Sequence, residues 1–351
     1  MSSHQSVRAA SSLLPLAAAN SPWQLCVAPM IDVTDRHCRF FHRQLAPHAR
    51  LYTEMIATGA LLHGQPDHHL QFNELEHPVA LQLGGSVPDE LARAARLGEQ
   101  WGYDEINLNC GCPSARVQRG AFGACLMAQP TLVAACVRAM LDAISVPVTV
   151  KHRLGLDDNT DYAPLRDFVG ELFDAGVRQF IVHARNAVLG GLSPKENRQI
   201  PPLRYAVAAQ LKTDFPEATF VLNGGITEAS QAQALLKQFD GVMLGRAAWH
   251  APAVLGQLHR LLWPDASTAS PEEVILAMAD YARAEQARGT PARFITRAML
   301  GWPSGQVGAR QWRRLLSDAH ALQRHGADII EMAWEQLQNR QAQAAQATEP
   351  I

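Results

Sequence analysis

Eight apolar runs of strand length, separated by segments with helical spacing, constrain this 351-residue chain more than any other feature. The runs are Gln24–Ala28, Leu51–Glu54, Val79–Leu83, Glu105–Leu108, Val146–Lys151, Gln179–His183, Thr219–Leu222 and Gly241–Leu244. Helical periodicity falls near residues 34–45, 88–101, 129–143, 162–175, 201–213 and 228–238, with one short helix around 55–62. Strands that alternate with crossover helices form parallel sheets. No G-x-G-x-x-G follows the first strand, so closure into a (β/α)8 TIM barrel over residues 22–260 is favoured over an open dinucleotide-binding sheet.

Beyond the barrel, residues 263–271 read as a linker, and Ser270-Pro271-Glu272-Glu273 carries the N-cap, N1 proline and acidic first turn of a helix. Helical stretches near 271–288, 292–300, 308–321 and 326–342 make a small all-α helical-bundle domain over 271–342. Residues 1–21 are Ser/Ala-rich with only a short Leu13-Leu14-Pro15-Leu16 patch, so they read as a disordered leader rather than a signal peptide. The polar end, 343–351, reads as a disordered tail. No run of eighteen apolar residues exists, and no membrane span is expected. The six cysteines show no framework spacing, which at this size points to a reducing, cytoplasmic setting. Cys110 and Cys112 form a C-x-C without a second pair, so no metal site is expected.

A formal net charge of −2 hides an uneven distribution. Between Arg283 and His325 stand eight arginines (283, 288, 293, 297, 310, 313, 314 and 324) against Glu285 and Asp318, six positive charges in excess. Such a segment suits a polyanion partner, although a solvated helical face has the same look. Nothing in the sequence implies a protein partner. Lysine, by contrast, occurs only at 151, 195, 212 and 237, so a lysine that ends a strand invites a chemical explanation.

Active sites of such barrels lie at the carboxyl ends of the strands. The groups expected there are Pro29-Met30, Glu54, Gln82, Asn109 with Cys112, Lys151, His183, Asn223-Gly224-Gly225 and Gly245-Arg246. The last two of these match a phosphate cradle, with glycine N–H groups and then a guanidinium. In Asn107–Ser114 two amides and a thiol crowd a turn that Gly111 permits and Pro113 stiffens, a setting suited to proton delivery or nucleophilic attack. Lys151 fits the edge of a flavin ring, where an ammonium stabilises the reduced cofactor, and it equally fits a Schiff base. A small-molecule flavin barrel has no use for the arginine-rich domain, and a non-catalytic RNA-binding module has no use for the strand-end set.

The chain resembles the tRNA-dihydrouridine synthase family. The residues that carry the likeness are Ala28-Pro29-Met30, Tyr52-Thr53-Glu54-Met55, Leu81-Gln82-Leu83-Gly84-Gly85, Asn107–Ser114, Gly123-Ala124-Cys125-Leu126, Val148-Thr149-Val150-Lys151, His183-Ala184-Arg185, Asn223-Gly224-Gly225-Ile226 and Leu244-Gly245-Arg246. Residues 191–198, Ile200-Pro201-Pro202-Leu203 and 32–37 look like its A subfamily, which reduces uridines 20 and 20a of the tRNA D-loop. The resemblance implies FMN as cofactor and NADPH as reductant, with hydride passing to uracil C6 and Cys112 donating a proton to C5. FMN would rest on Pro29, Met30, Gln82, Lys151, His183, Asn223, Gly224, Gly225, Gly245 and Arg246. Asn109 would help hold the extruded base, Cys110 would merely pack, and Lys195, Asn197, Arg198, Arg297, Arg310 and Arg313 would contact tRNA. An unperturbed thiol, with a pKa of about 8.5, is mostly protonated at neutral pH and suits an acid.

Overall fold

The computed structural model describes residues 21–347. Eight parallel strands follow one another around a closed barrel: β1 Leu25–Val27, β2 Arg50–Ala57, β3 Val79–Gly84, β4 Glu105–Cys110, β5 Val148–His152, β6 Gln179–His183, β7 Thr219–Asn223 and β8 Gly241–Leu244. Pairing of Leu25 with Val242 and Val27 with Leu244 closes the ring and leaves no edge strand. Strand alternation divides the apolar residues into two layers. Outward side chains pack on the helices, while Cys26, Tyr52, Ala80, Ile181, Val221 and Met243 form a separate cluster inside the barrel.

That interior is chemically lopsided. The inward positions of β6, β7, β8 and β1 at mid-height are apolar, whereas β3, β4 and β5 send Gln82, Glu105, Asn107, Asn109 and Thr149 into the same space. Glu105, Asn107 and Thr149 are 0% exposed, so each must find its hydrogen-bond partners within the protein.

Several boundaries differ from the sequence-based expectation. β4 runs on to Cys110, which puts Asn107 and Asn109 on a strand face and not in the turn. β2 continues to Ala57 through a register shift between Tyr52 and Met55, and the short helix starts only at Thr58, with another at Pro66–Leu70. Pro201 and Pro202 delay the expected 201–213 helix to Tyr205–Asp214. After β8 come helices Arg246–His250 and Ala253–Leu262, which periodicity did not suggest.

The C-terminal region is helical throughout: Pro271–Ala287, Arg293–Met299, Ala309–Ser317, Ala319–His325 and Ile329–Gln346. Its first helix has the expected capping box, with Ser270 and Glu273 each bonding the other's backbone N–H. The single helix expected over 308–321 is broken at Asp318, an extended residue whose carboxylate accepts the Ala321 N–H and caps a new helix. Residues 343–346, expected in a disordered tail, continue the last helix. The expected leader, up to residue 20, and the last four residues lie outside the described residues.

Candidate active site

The loop after β4 presents Cys112 half-buried at the barrel rim. Asn109, pointing inward, accepts the Gly111 N–H at 3.1 Å and the Cys112 N–H at 2.9 Å through its Oδ1. From the other side the Cys112 carbonyl accepts the Ala124 N–H at 2.9 Å. Gly123 makes that approach possible: its φ is +80°, and a Cβ there would sit 2.6 Å from the Cys112 oxygen. The neighbouring Cys110 points outward into the helix layer, fully buried, and burial pushes its thiol up. Of the two thiols, Cys110 is buried and Cys112 is partly exposed.

Lys151 is the last residue but one of β5 and is half-buried beside this loop. Its Nζ donates to Asn223 Oδ1 at 3.0 Å, and Asn223 in turn donates to the Met243 carbonyl at 2.7 Å. Burial pulls the ammonium down to about 7, the Arg153 guanidinium pushes the same way, and Cys112 opposes them. His183, at the end of β6, lies well below its ordinary value through burial and then the cations Arg153, Lys151, Arg185 and Arg198. Gly224, with φ +113°, passes so close beneath His183 that a Cβ would come within 2.7 Å of the ring. Arg246 begins the helix after β8 and donates to the Arg198 carbonyl at 3.2 Å. Gln82 is buried and bonded to Asn107 and Asn109, and Pro29 and Met30 form the half-buried end of β1. Glu54 accepts the Asp32 N–H at the same end of the barrel, and burial raises its carboxyl.

Two further cations belong to the site and were absent from the expectation. Arg153 donates to the carbonyls of Gly111, Asn186 and Asn197, each at 3.1 Å, and burial lowers it to about 10. Arg185 donates to the carbonyls of Gln199 and Pro201, and its Nε is buried without a partner. Each stands two residues past a strand-end group, Lys151 or His183, so the alternation that found the first residue could have found the second.

Of the expected tRNA contacts, Lys195 and Arg198 are exposed on the 191–200 loop, and Arg310, Arg313 and Arg314 are exposed on helix Ala309–Ser317. Two differ from expectation. Asn197 is fully buried, and its amide bonds the backbone of Val188 and Leu192, so it shapes the loop instead of contacting a ligand. Arg297 is paired with Asp35 at 2.5 Å and ties the helical region to the barrel.

The family model described as "Dihydrouridine synthase (Dus)" matches residues 26–342. A protein of Pseudomonas aeruginosa is 56% identical over 296 residues, 84% of this chain and 89% of its own. One of Escherichia coli K12 is 54% identical over 306 residues (86% and 88%), and one of Xanthomonas campestris 51% over 323 residues (92% and 96%). Each of the three is named a tRNA-dihydrouridine(20/20a) synthase. With a match that spans barrel and helical region alike, the chain belongs to the dihydrouridine synthase family.

Proposed function

We propose that this protein reduces the C5–C6 double bond of uridine to 5,6-dihydrouridine at positions 20 and 20a of the tRNA D-loop, with FMN as cofactor and NADPH as reductant. The observation that carries the reading is a thiol held at the rim within electrostatic reach of Lys151, Arg153 and Arg198. The names of the relatives support the substrate, and the cytoplasm is the compartment we assign to it.

The donor set fits FMN. The cations Lys151, Arg153, Arg185 and Arg198 surround His183 and hold it neutral, Arg246 opposes Arg185 and Arg198, and the buried Arg185 Nε has no partner, as a site for an anionic group requires. The glycines after β7 and β8 let backbone approach a phosphate, and Arg246 adds its guanidinium. When bound, FMN supplies the hydride for uracil C6. Lys151 serves the N1/O2 edge of the ring, where negative charge develops. Cys112 donates the proton to C5. Asn109 gives one amide hydrogen to Gln82 and keeps a second for the base. A uridine must leave its stack to lie in this rim, and the exposed arginines of the helical region grip the backbone of the folded RNA.

The test is unmodified tRNA incubated with the protein, FMN and NADPH, and the gain of two hydrogens mapped by mass. Cys112→Ala should keep flavin and tRNA binding and lose product, whereas Cys110→Ala should stay active. Product at another D-loop position would correct the substrate, and product from Cys112→Ala would remove that thiol from the reaction.

A further inference from the structure

Proton transfer from Cys112 uses Asn109 but not the buried polar groups beneath it. Asn109 Nδ2 donates to Gln82 Oε1 at 2.8 Å, Gln82 Nε2 to Asn107 Oδ1 at 2.6 Å, and Asn107 Nδ2 to Thr149 Oγ1 at 2.7 Å. The Thr149 hydroxyl donates to Glu105 Oε1. Glu105 opens β4 at the far end of the barrel, roughly 13 Å below Asn109 at the usual strand rise. Its carboxylate also accepts from Tyr52 at 2.8 Å and Trp23 at 2.7 Å, and it is ion-paired with Arg50 at 3.2 Å. Three donors and a guanidinium meet this carboxylate, and no acceptor faces it.

The direction of donation along this line is fixed from both ends. An amide side chain has two orientations that differ only in which atom is O and which is N. At the top, the Gly111 and Cys112 N–H groups can only donate, so Asn109 must offer its oxygen upward and its nitrogen to Gln82. At the bottom, the carboxylate can only accept, so Thr149 must donate downward and accept from Asn107. Gln82 and Asn107 then have one orientation each that satisfies every group. Reversing any member would place two donors or two acceptors face to face in a site without exposure, which costs far more than a normal bond returns.

We propose that Glu105 and Thr149 are positioning residues for proton delivery: acting through Asn107 and Gln82, they lock the Asn109 amide that presents Cys112. The inference rests on Cys112 as the acid. A network that only fills the barrel would affect stability and leave the chemistry of the thiol alone.

Thr149→Val, Thr149→Ser and Glu105→Gln separate the two. The readouts are the single-turnover rate of dihydrouridine formation from reduced enzyme and tRNA, and the pH profile of Cys112 alkylation by iodoacetamide without flavin or tRNA. Folding, flavin content and tRNA affinity are measured beside them. Folded Thr149→Val should lose at least tenfold in single-turnover rate with normal tRNA affinity, and its alkylation profile should differ from wild type. Thr149→Ser, which restores the hydroxyl, should return within about threefold of wild type. A folded Thr149→Val with wild-type turnover and alkylation overturns the proposal. If that variant does not fold, Glu105→Gln decides by the same two readouts, and failure of both to fold beside a normal Thr149→Ser makes the line structural and also overturns it. Cys112→Ala run in parallel isolates the premise: if it still forms product, the reading of the acid has failed, independently of the threonine.

Discussion

At the scale of single residues, the site is governed by burial of charge without a carboxylate to compensate. Lys151 shows this most clearly. Its folded value of about 7 lies below the unfolded lysine value of roughly 10.4, so between these the unfolded chain binds more protons and stability rises with pH. The penalty is present in full below about 7 and fades towards 10. Flavin-free Lys151→Met should therefore be more stable than wild type near pH 6, with the gap closing by pH 10; thermal unfolding across that range checks it. A gap that is constant with pH would mean the lysine is not desolvated. The same variant should hold FMN less well and slow its reduction by NADPH. Alternation made Lys151 and His183 legible in the sequence, because it says which side chain faces in, whereas Cys112 stood out through the turn that carries it. Asn197 was misplaced because composition marks a loop as polar and says nothing of which amide the loop spends on itself.

At the scale of elements, the helix Ala309–Ser317 has a packed face and a face of exposed charge. Trp312 and Leu316 are buried, with Trp312 Nε1 donating to the Met299 carbonyl at 2.8 Å, while Arg310, Arg313 and Arg314 are exposed. Arg310→Ala/Arg313→Ala should bind tRNA more weakly and with a shallower log–log salt dependence, by about 0.7–0.9 in slope for each phosphate no longer neutralised. Flavin content and NADPH-driven flavin reduction without tRNA should stay normal. Equal slopes and affinities would reduce the patch to surface charge. Trp312→Ala should instead lower stability by about 3–5 kcal/mol, since a fully buried indole leaves a cavity. The amphipathic period of this segment was readable from its sequence, but the break at Asp318 was not. Apolar spacing continues through it with Leu322, and only the capping bond to Ala321 reveals the stop.

At the scale of the whole molecule, one barrel helix supplies polar and aromatic contacts between barrel and helical region. From Arg36–Leu45, Arg36 meets Glu285 at 2.5 Å, Phe40 stacks on Tyr281 at 4.0 Å between centroids, and His37 Nδ1 lies 2.8 Å from the Tyr281 hydroxyl. Asp35, the cap of that helix, holds Arg297. Eightfold alternation was enough to foresee the barrel, yet nothing in its pattern names the residues beyond it that it meets: Arg36 and Glu285 stand 249 positions apart and obey no period. Glu285 is fully buried and accepts from Arg36, Arg288 and Thr290. Burial raises its carboxyl, and these donors outweigh burial, so it lies below its ordinary value. The stability this contributes is present above the unfolded carboxylate value near ~4.3 and is lost as pH falls through the lower folded one. Glu285→Ala should cost about 1–3 kcal/mol, because the half-buried Arg36 and Thr290 lose their acceptor while the exposed Arg288 returns to water. Its functional effect should fall on tRNA affinity and turnover, the properties that need the helical region set correctly against the rim. NADPH-driven flavin reduction without tRNA should be unchanged, since no group of the flavin cradle touches Glu285. If flavin reduction falls in step with tRNA affinity, the join supports the barrel's own chemistry, and the division of labour between the two parts is wrong.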